Sequence, residues 1–197
     1  MKATRLLLSA ATLFLAVVTA HAAQISGTVT NKTTGKPSAC DTVVAVDVQA
    51  NMAAQGNATT DAKGHYTLSF PGNSPHLIRV THQGAGYFIA APENGAPGDV
   101  SVYDVAAKVD GVFMEADVFE IEADNSHLRV TERYFVHNAS TPPRTEWSAH
   151  TFEIAIPADA NIVSAAAQRP TGLPTGVKLD PVGAKGHYAF STPIEPD

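Results

Sequence analysis

His150-Thr151-Phe152-Glu153 carries the His-x-x-Glu spacing with which zinc peptidases hold their metal. Phe152, Ile154 and Ile156 alternate as a strand, and continuing that strand back to His150 puts His150 on their face and Glu153 on the other. Residues three apart on a strand cannot chelate one ion together, so no zinc site is expected here. His65, His76 and His82 form a looser set. Each reads more simply as a polar residue on a strand's solvent face or in a loop, because no fixed spacing links them. The carboxylates Asp117, Glu120, Glu122 and Asp124 could attract calcium. Their spacing matches no dedicated calcium loop, and a solvated acidic edge that discourages strand-to-strand aggregation is the simpler reading. No Gly-x-Ser-x-Gly elbow, phosphate loop or dinucleotide fingerprint occurs, and no cofactor is expected.

Binding chemistry has more to work with. Trp147 lies beside the Pro142-Pro143 loop, and Tyr87-Phe88 follows the glycine-rich Gly84-Ala85-Gly86. Aromatic faces exposed at the edge of a sheet could stack on sugar rings. The competing reading is that Tyr87 fills a first core and Trp147 a second, and core burial is the commoner fate of such side chains. Cys40 is the only cysteine, so no internal disulfide can form, and it reads as a small, partly buried apolar residue. Asn31, Asn57 and Asn138 each begin an Asn-x-Ser/Thr sequon.

The elements that would position these groups are strands. Asp61-Ala62-Lys63-Gly64 reads as a tight turn, after which Tyr66, Leu68 and Phe70 share one face and His65, Thr67 and Ser69 the other. A near copy, Ala184-Lys185-Gly186-His187-Tyr188-Ala189-Phe190, recurs close to the C-terminus. Strands are expected at Ile25 to Thr30, at Thr42 to Val48 (with Val44, Val46 and Val48 on one face), at Asn57 to Thr60 and at Leu77 to His82. Turn clusters separate them at about 8–12 residue spacing, the pattern of a sandwich or barrel. Ala91 to Asp99 is rich in proline and glycine and reads as a linker.

Before these strands comes an export signal, residues 1–22. Lys2 and Arg5 precede the apolar run Leu6 to Val18, and Ala20-His21-Ala22 supplies the small residues a signal peptidase needs. The mature chain is expected to begin at Ala23 and to be periplasmic or secreted. No later stretch approaches the roughly 18 apolar residues of a membrane span. Cleavage leaves 11 basic against 19 acidic residues and a net charge of −8. A phosphate backbone would be repelled, which excludes nucleic acid as a natural partner.

Within the first half, Gly27-Thr28-Val29, Thr34-Gly35-Lys36-Pro37, Thr60-Asp61-Ala62-Lys63-Gly64-His65-Tyr66, Ile78-Arg79-Val80 and Gly86-Tyr87 occur in order. On these motifs the stretch resembles the carboxypeptidase regulatory-like domain, a transthyretin-like β-sandwich similar also to starch-binding and collagen-adhesin repeats. The resemblance covers roughly Gln24 to Ala90 and implies a sandwich and an accessory role, without peptidase activity. Transthyretin-like folds include hydroxyisourate hydrolases, whose C-terminal Tyr-Arg-Gly-Ser type segment is missing: this chain ends Pro193-Ile194-Glu195-Pro196-Asp197.

The second half, 100–197, reads as a further antiparallel sandwich. Val118 to Ala123 and His127 to Val136 make a hairpin around Asp124-Asn125. Leu128, Val130, Tyr134 and Val136 share one face of its second strand, with Glu132 the odd polar member. Few strands remain to cover that half, so it is expected to be incomplete or to need a partner strand, with a tendency to self-associate. The whole reads as an all-β chain of two tandem antiparallel β-sandwich domains, 23–90 and 100–197. The expected role is a non-catalytic binding, adhesion or assembly module meeting a protein or glycan of the cell envelope. The alternatives are a carbohydrate-binding accessory module and, disfavoured, a transthyretin-like hydrolase.

Overall fold

The computed structural model describes residues 22–72, 74–93, 95–123, 126–169 and 174–197, and over these the chain is all-β, with no helix. The expected export signal, residues 1–22, therefore falls outside the described residues, except for Ala22. Eight strands come first: β1 (Ala22–Asn31), β2 (Lys36–Pro37), β3 (Thr42–Asp47), β4 (Ala53–Thr59), β5 (His65–Pro71), β6 (His76–His82), β7 (Ala85–Ala90) and β8 (Val100–Val102). One sheet runs β4-β3-β6-β7 and is antiparallel throughout. The other is built on β1, which takes β5 and β2 antiparallel and β8 parallel.

Between the sheets lies one core. Ile25, Val29, Leu68, Phe70, Val100 and Val102 meet Val43, Ala45, Ile78, Val80 and Tyr87. Each large side chain buried there stabilises the fold by about 1.5–3 kcal/mol. β5 follows its alternation: Tyr66, Leu68 and Phe70 are buried, and His65, Thr67 and Ser69 are exposed. β3 does not. Val43 and Ala45 join the core, Val44 and Val46 are buried on the opposite side, and Val48 lies exposed beyond the strand. Both faces of β3 are buried, so its apolar run has no alternation to read.

The duplicated motif is used twice in the same way. Gly64 (φ 75°) precedes β5, and a Cβ there would lie 2.4 Å from the Val29 carbonyl oxygen. Gly186 (φ 90°) precedes the last strand, and a Cβ there would lie 2.4 Å from the Ile156 oxygen. Each glycine carbonyl accepts a backbone N–H from the neighbouring chain, Val29 at 2.8 Å and Ile156 at 2.9 Å. Only glycine combines that backbone angle with so close an approach.

Two expectations for this half need correcting. Cys40 is exposed, not partly buried, and takes a left-handed φ of 63° in the turn that leads to Asp41. The proline- and glycine-rich stretch ends bonded to β1 and β5: Gly98 N–H donates to Ser26 O at 3.0 Å, Thr28 N–H to Asp99 Oδ1 at 2.8 Å, and the Tyr66 hydroxyl to Gly98 O. β8 thereby completes the first core, although its sequence places it after the linker.

The remaining strands are β9 (Val105–Ala106), β10 (Val112–Ala123), β11 (Leu128–Asn138), β12 (Thr145–Glu146), β13 (Phe152–Ala155), β14 (Ala166–Ala167), β15 (Thr175–Gly176), β16 (Asp180–Pro181) and β17 (His187–Phe190). They form small sheets: β12 with β9, β14 with β15, β13-β17-β16, and β10 with β11 alone. Among the described residues beyond β8, only Val109 and Ala189 are buried apolar side chains. Polar groups do much of the fixing. Glu146, 1% exposed, accepts from Lys108 Nζ at 3.0 Å and from Val109 N–H at 2.8 Å, and its backbone exchanges two hydrogen bonds with Ile194. Buried Asn138 donates to the Arg144 and Ile194 carbonyls at 2.7 and 2.9 Å.

Candidate functional site

β6 buries His76, Ile78, Val80 and His82, so both histidines close the core at its ends instead of facing solvent. The signal was the period of two through His76-x-Ile78-x-Val80-x-His82. His82 Nδ1 lies 2.8 Å from Asp41 Oδ1 and 3.1 Å from Ser38 Oγ, and its Nε2 lies 3.6 Å from Asp104 Oδ1. The Asp41 hydrogen bond raises the His82 pKa against the opposing pull of burial. Asp104 is held below its ordinary value, first by the Asn31 amide at 2.7 Å and then by His82. Serine, histidine and aspartate meet here, but Ser38 and Asp41 share one ring nitrogen. A hydrolytic relay needs them on opposite nitrogens. The cluster is a clamp that ties Asp104 to β6 and to the loop before β3.

The other chemistry-bearing groups stay apart. His65 is exposed, 3.9 Å from Asp61. His150 and Glu153 do approach, to 3.8 Å, because Ser148 N–H bonds to Thr151 Oγ1 and turns the chain just before β13. That corrects the expectation that they point to opposite faces, and both remain exposed. Among the described residues no group of three or more His, Cys, Asp or Glu side chains could hold a metal. Glu120 and Glu122 are exposed, Glu120 pairing with Arg133 at 3.2 Å, while Asp124 lies outside the described residues. The amides of Asn31 and Asn138 are buried and bonded, which leaves Asn57 as the exposed sequon.

The three aromatic candidates separate. Tyr87 is core: its hydroxyl meets Thr145 Oγ1 at 2.8 Å and the Tyr103 carbonyl at 2.9 Å. Phe88, on the opposite face of β7, is 39% exposed and lies beneath the Arg169 guanidinium, 5.1 Å from the ring centroid. Arg169 also donates to Gly86 O and pairs with Glu195 at 2.9 Å, so Phe88 anchors the chain's own tail segment. Trp147 packs against the first core and over Gly84, and not into a second core; its Nε1–H donates to Ser191 Oγ at 2.8 Å. Its edge lines a shallow recess with Gln83, Val105, Ser148, Ala149 and Ser191.

What stands out is the β10–β11 ribbon. Cross-strand partners share a face, and the register sets Ala123 opposite Leu128, Ile121 opposite Val130 and Phe119 opposite Glu132. At the base of this face, half-buried Tyr134 packs edge-on against Phe152 of β13 at 5.4 Å, and Phe152 meets Phe190 of β17 at 5.5 Å. Toward the tip it is bare of other described residues: Leu128 is 71% exposed, Ile121 64%, Phe119 57% and Val130 52%. The opposite face carries Glu122, Arg129, Glu120, Thr131 and Arg133 near the tip, with exposed Val118, Phe135 and Phe113 nearer the base. A two-stranded ribbon is marginal in water without a layer against its apolar face. A contiguous bare face of this kind is a candidate docking surface.

No protein-family model and no curated protein matches the chain. No helix among the described residues is long and apolar enough to cross a membrane.

Proposed function

We propose that the chain is an exported, non-catalytic binding module of the cell envelope, and that it docks its partner on the apolar tip of the β10–β11 ribbon. The observation that carries this is the run of Phe119, Ile121, Leu128 and Val130, bare on one face of a ribbon that has no second layer there. In this reading the first sandwich is a regulatory-like-domain scaffold. The second unit is a sandwich in which β13 and β17 cover the base of the ribbon and the partner supplies the rest. Periplasmic or secreted localisation rests on the leader pattern in residues 1–22. The inward-facing, mutually bonded His82 cluster favours binding over catalysis.

The test is titration of the purified chain with an environment-sensitive apolar dye, wild type against an Ile121→Ser/Leu128→Ser double variant. Wild type should bind the dye, and the variant should lose most of the signal with an unchanged melting transition of the first sandwich. Equal dye binding by both would remove the ribbon face as the docking surface.

A further inference from the structure

The occupant of the ribbon face can be specified from the charge beside it, and this step rests on the docking reading above. Glu132 sits among Phe119, Val130 and Tyr134, half-buried, as the charged member of the β11 row that faces the partner. The cations of β11, Arg129 and Arg133, belong to the opposite face, where Arg133 pairs with Glu120 at 3.2 Å. Covering the apolar tip would desolvate Glu132 with no cation of its own face to meet it, and a buried unpaired charge opposes docking.

A second copy of the ribbon cannot supply that cation. When two copies of β11 pair antiparallel with their apolar faces on the same side, residues of the Leu128, Val130, Glu132, Tyr134 row meet only residues of the same row. Glu132 then faces another apolar residue or another Glu132, and never Arg129 or Arg133. Stacking the two apolar faces against each other fails for the same reason. The chain's net charge of −6 opposes self-association as well.

The edges indicate how a foreign segment would enter. The register shift of β10, between Met114 and Ala116, lies at the base of the ribbon, and from Ala116 to Ala123 the strand pairs without a break against Leu128 to Phe135. Phe119 already lies opposite Glu132 on the β10 side, so a strand on the outer edge of β11 is what can set a residue directly opposite it, and among the described residues that edge pairs with no other strand. We infer that the ribbon is completed by an extended segment of another protein added to the β11 edge. That segment presents alternate apolar side chains on the Leu128–Val130 side and a lysine or arginine directly opposite Glu132. Main-chain pairing supplies the affinity, and the single cation sets register and partner choice.

The test uses the full chain and fluorescent acetyl-Val-Thr-Val-Thr-Lys-Thr-Val-Thr-Val-amide, whose Lys shares a face with the Val residues, with a sister peptide carrying Glu for the central Lys, both read by anisotropy. The Lys peptide should bind about fivefold tighter or more, the scale of one cross-strand charge pair. Glu132→Gln should bring the two peptides to parity, and Glu132→Lys should reverse their order. Equal affinities in wild type, or an order unchanged by Glu132→Lys, would overturn the cation assignment while leaving the docking surface standing. Binding by neither peptide would overturn strand addition, and the dye titration then reports separately on the face itself. Sedimentation showing a wild-type dimer that Ile121→Ser dissociates would overturn it in favour of a second copy.

Discussion

His82 shows how a single side chain can hold two parts of the chain together. Its ring spans Asp41, in the loop before β3, and Asp104, just after β8. Its folded pKa is raised, so the proton is bound more tightly folded than unfolded. The clamp's contribution is therefore full below the unfolded value of about 6.5 and is lost as pH rises through the raised folded value. The difference in melting temperature between wild type and His82→Gln should accordingly shrink with rising pH across that window. A pH-independent difference, with Ser38, Asn31, Asp41 and Asp104 left in place, would show that the ring acts by packing alone. Glu146 works by satisfaction instead of titration. Glu146→Leu strips the Val109 N–H of its acceptor and should cost about 1–3 kcal/mol in denaturant unfolding. Tyr66, whose hydroxyl donates to Gly98, has its pKa pushed up to about 12 by burial with Asp99 nearby, and stays a donor through the neutral range.

At the scale of elements, the two glycine turns make the sharpest comparison. Gly64→Val should destabilise the two-sheet core of the first half by about 1–3 kcal/mol, because both the positive φ and the Val29 carbonyl forbid a side chain. Gly186→Val meets the same obstruction at Ile156 but guards only β17 and its small sheet. It should leave the main melting transition nearly unchanged and instead raise hydrogen exchange over His187–Phe190. Both turns were legible in the sequence because Asp-x-x-Gly or Ala-x-Gly followed by an alternating strand is a local signal. β5 and the apolar row of β11 were legible for the same reason. The face of β3 was not, since a strand covered on both sides carries no alternation. The parallel partnership of β8 with β1 was not either, because a pairing across some seventy residues leaves no local trace. His150 and Glu153 converge through a side-chain turn that their spacing does not announce.

Seen whole, the molecule divides its stability unevenly. The first half closes a core between two sheets, while the second half is held by polar clamps at Glu146, Asn138 and Arg169 and by the edge-on and tilted rings of Tyr134, Phe152 and Phe190. The bare ribbon belongs to the weaker half, where a partner can add a layer without disturbing the scaffold. Trp147, Tyr87 and Phe88, the aromatic candidates for sugar stacking, are each engaged within the chain, which is why the docking reading moves to the ribbon.

The central claim is that partners meet this protein on the tip of β10–β11. Its most direct test places a photo-cross-linking amino acid at Phe119, on the bare face, or at Gln83, beside the Trp147 recess, in cells that naturally make the protein. Irradiation should give a discrete heavier adduct from position 119 that disappears when Ile121→Ser is added, and none from position 83. Adducts from position 83 with only free chain from position 119 would contradict the account.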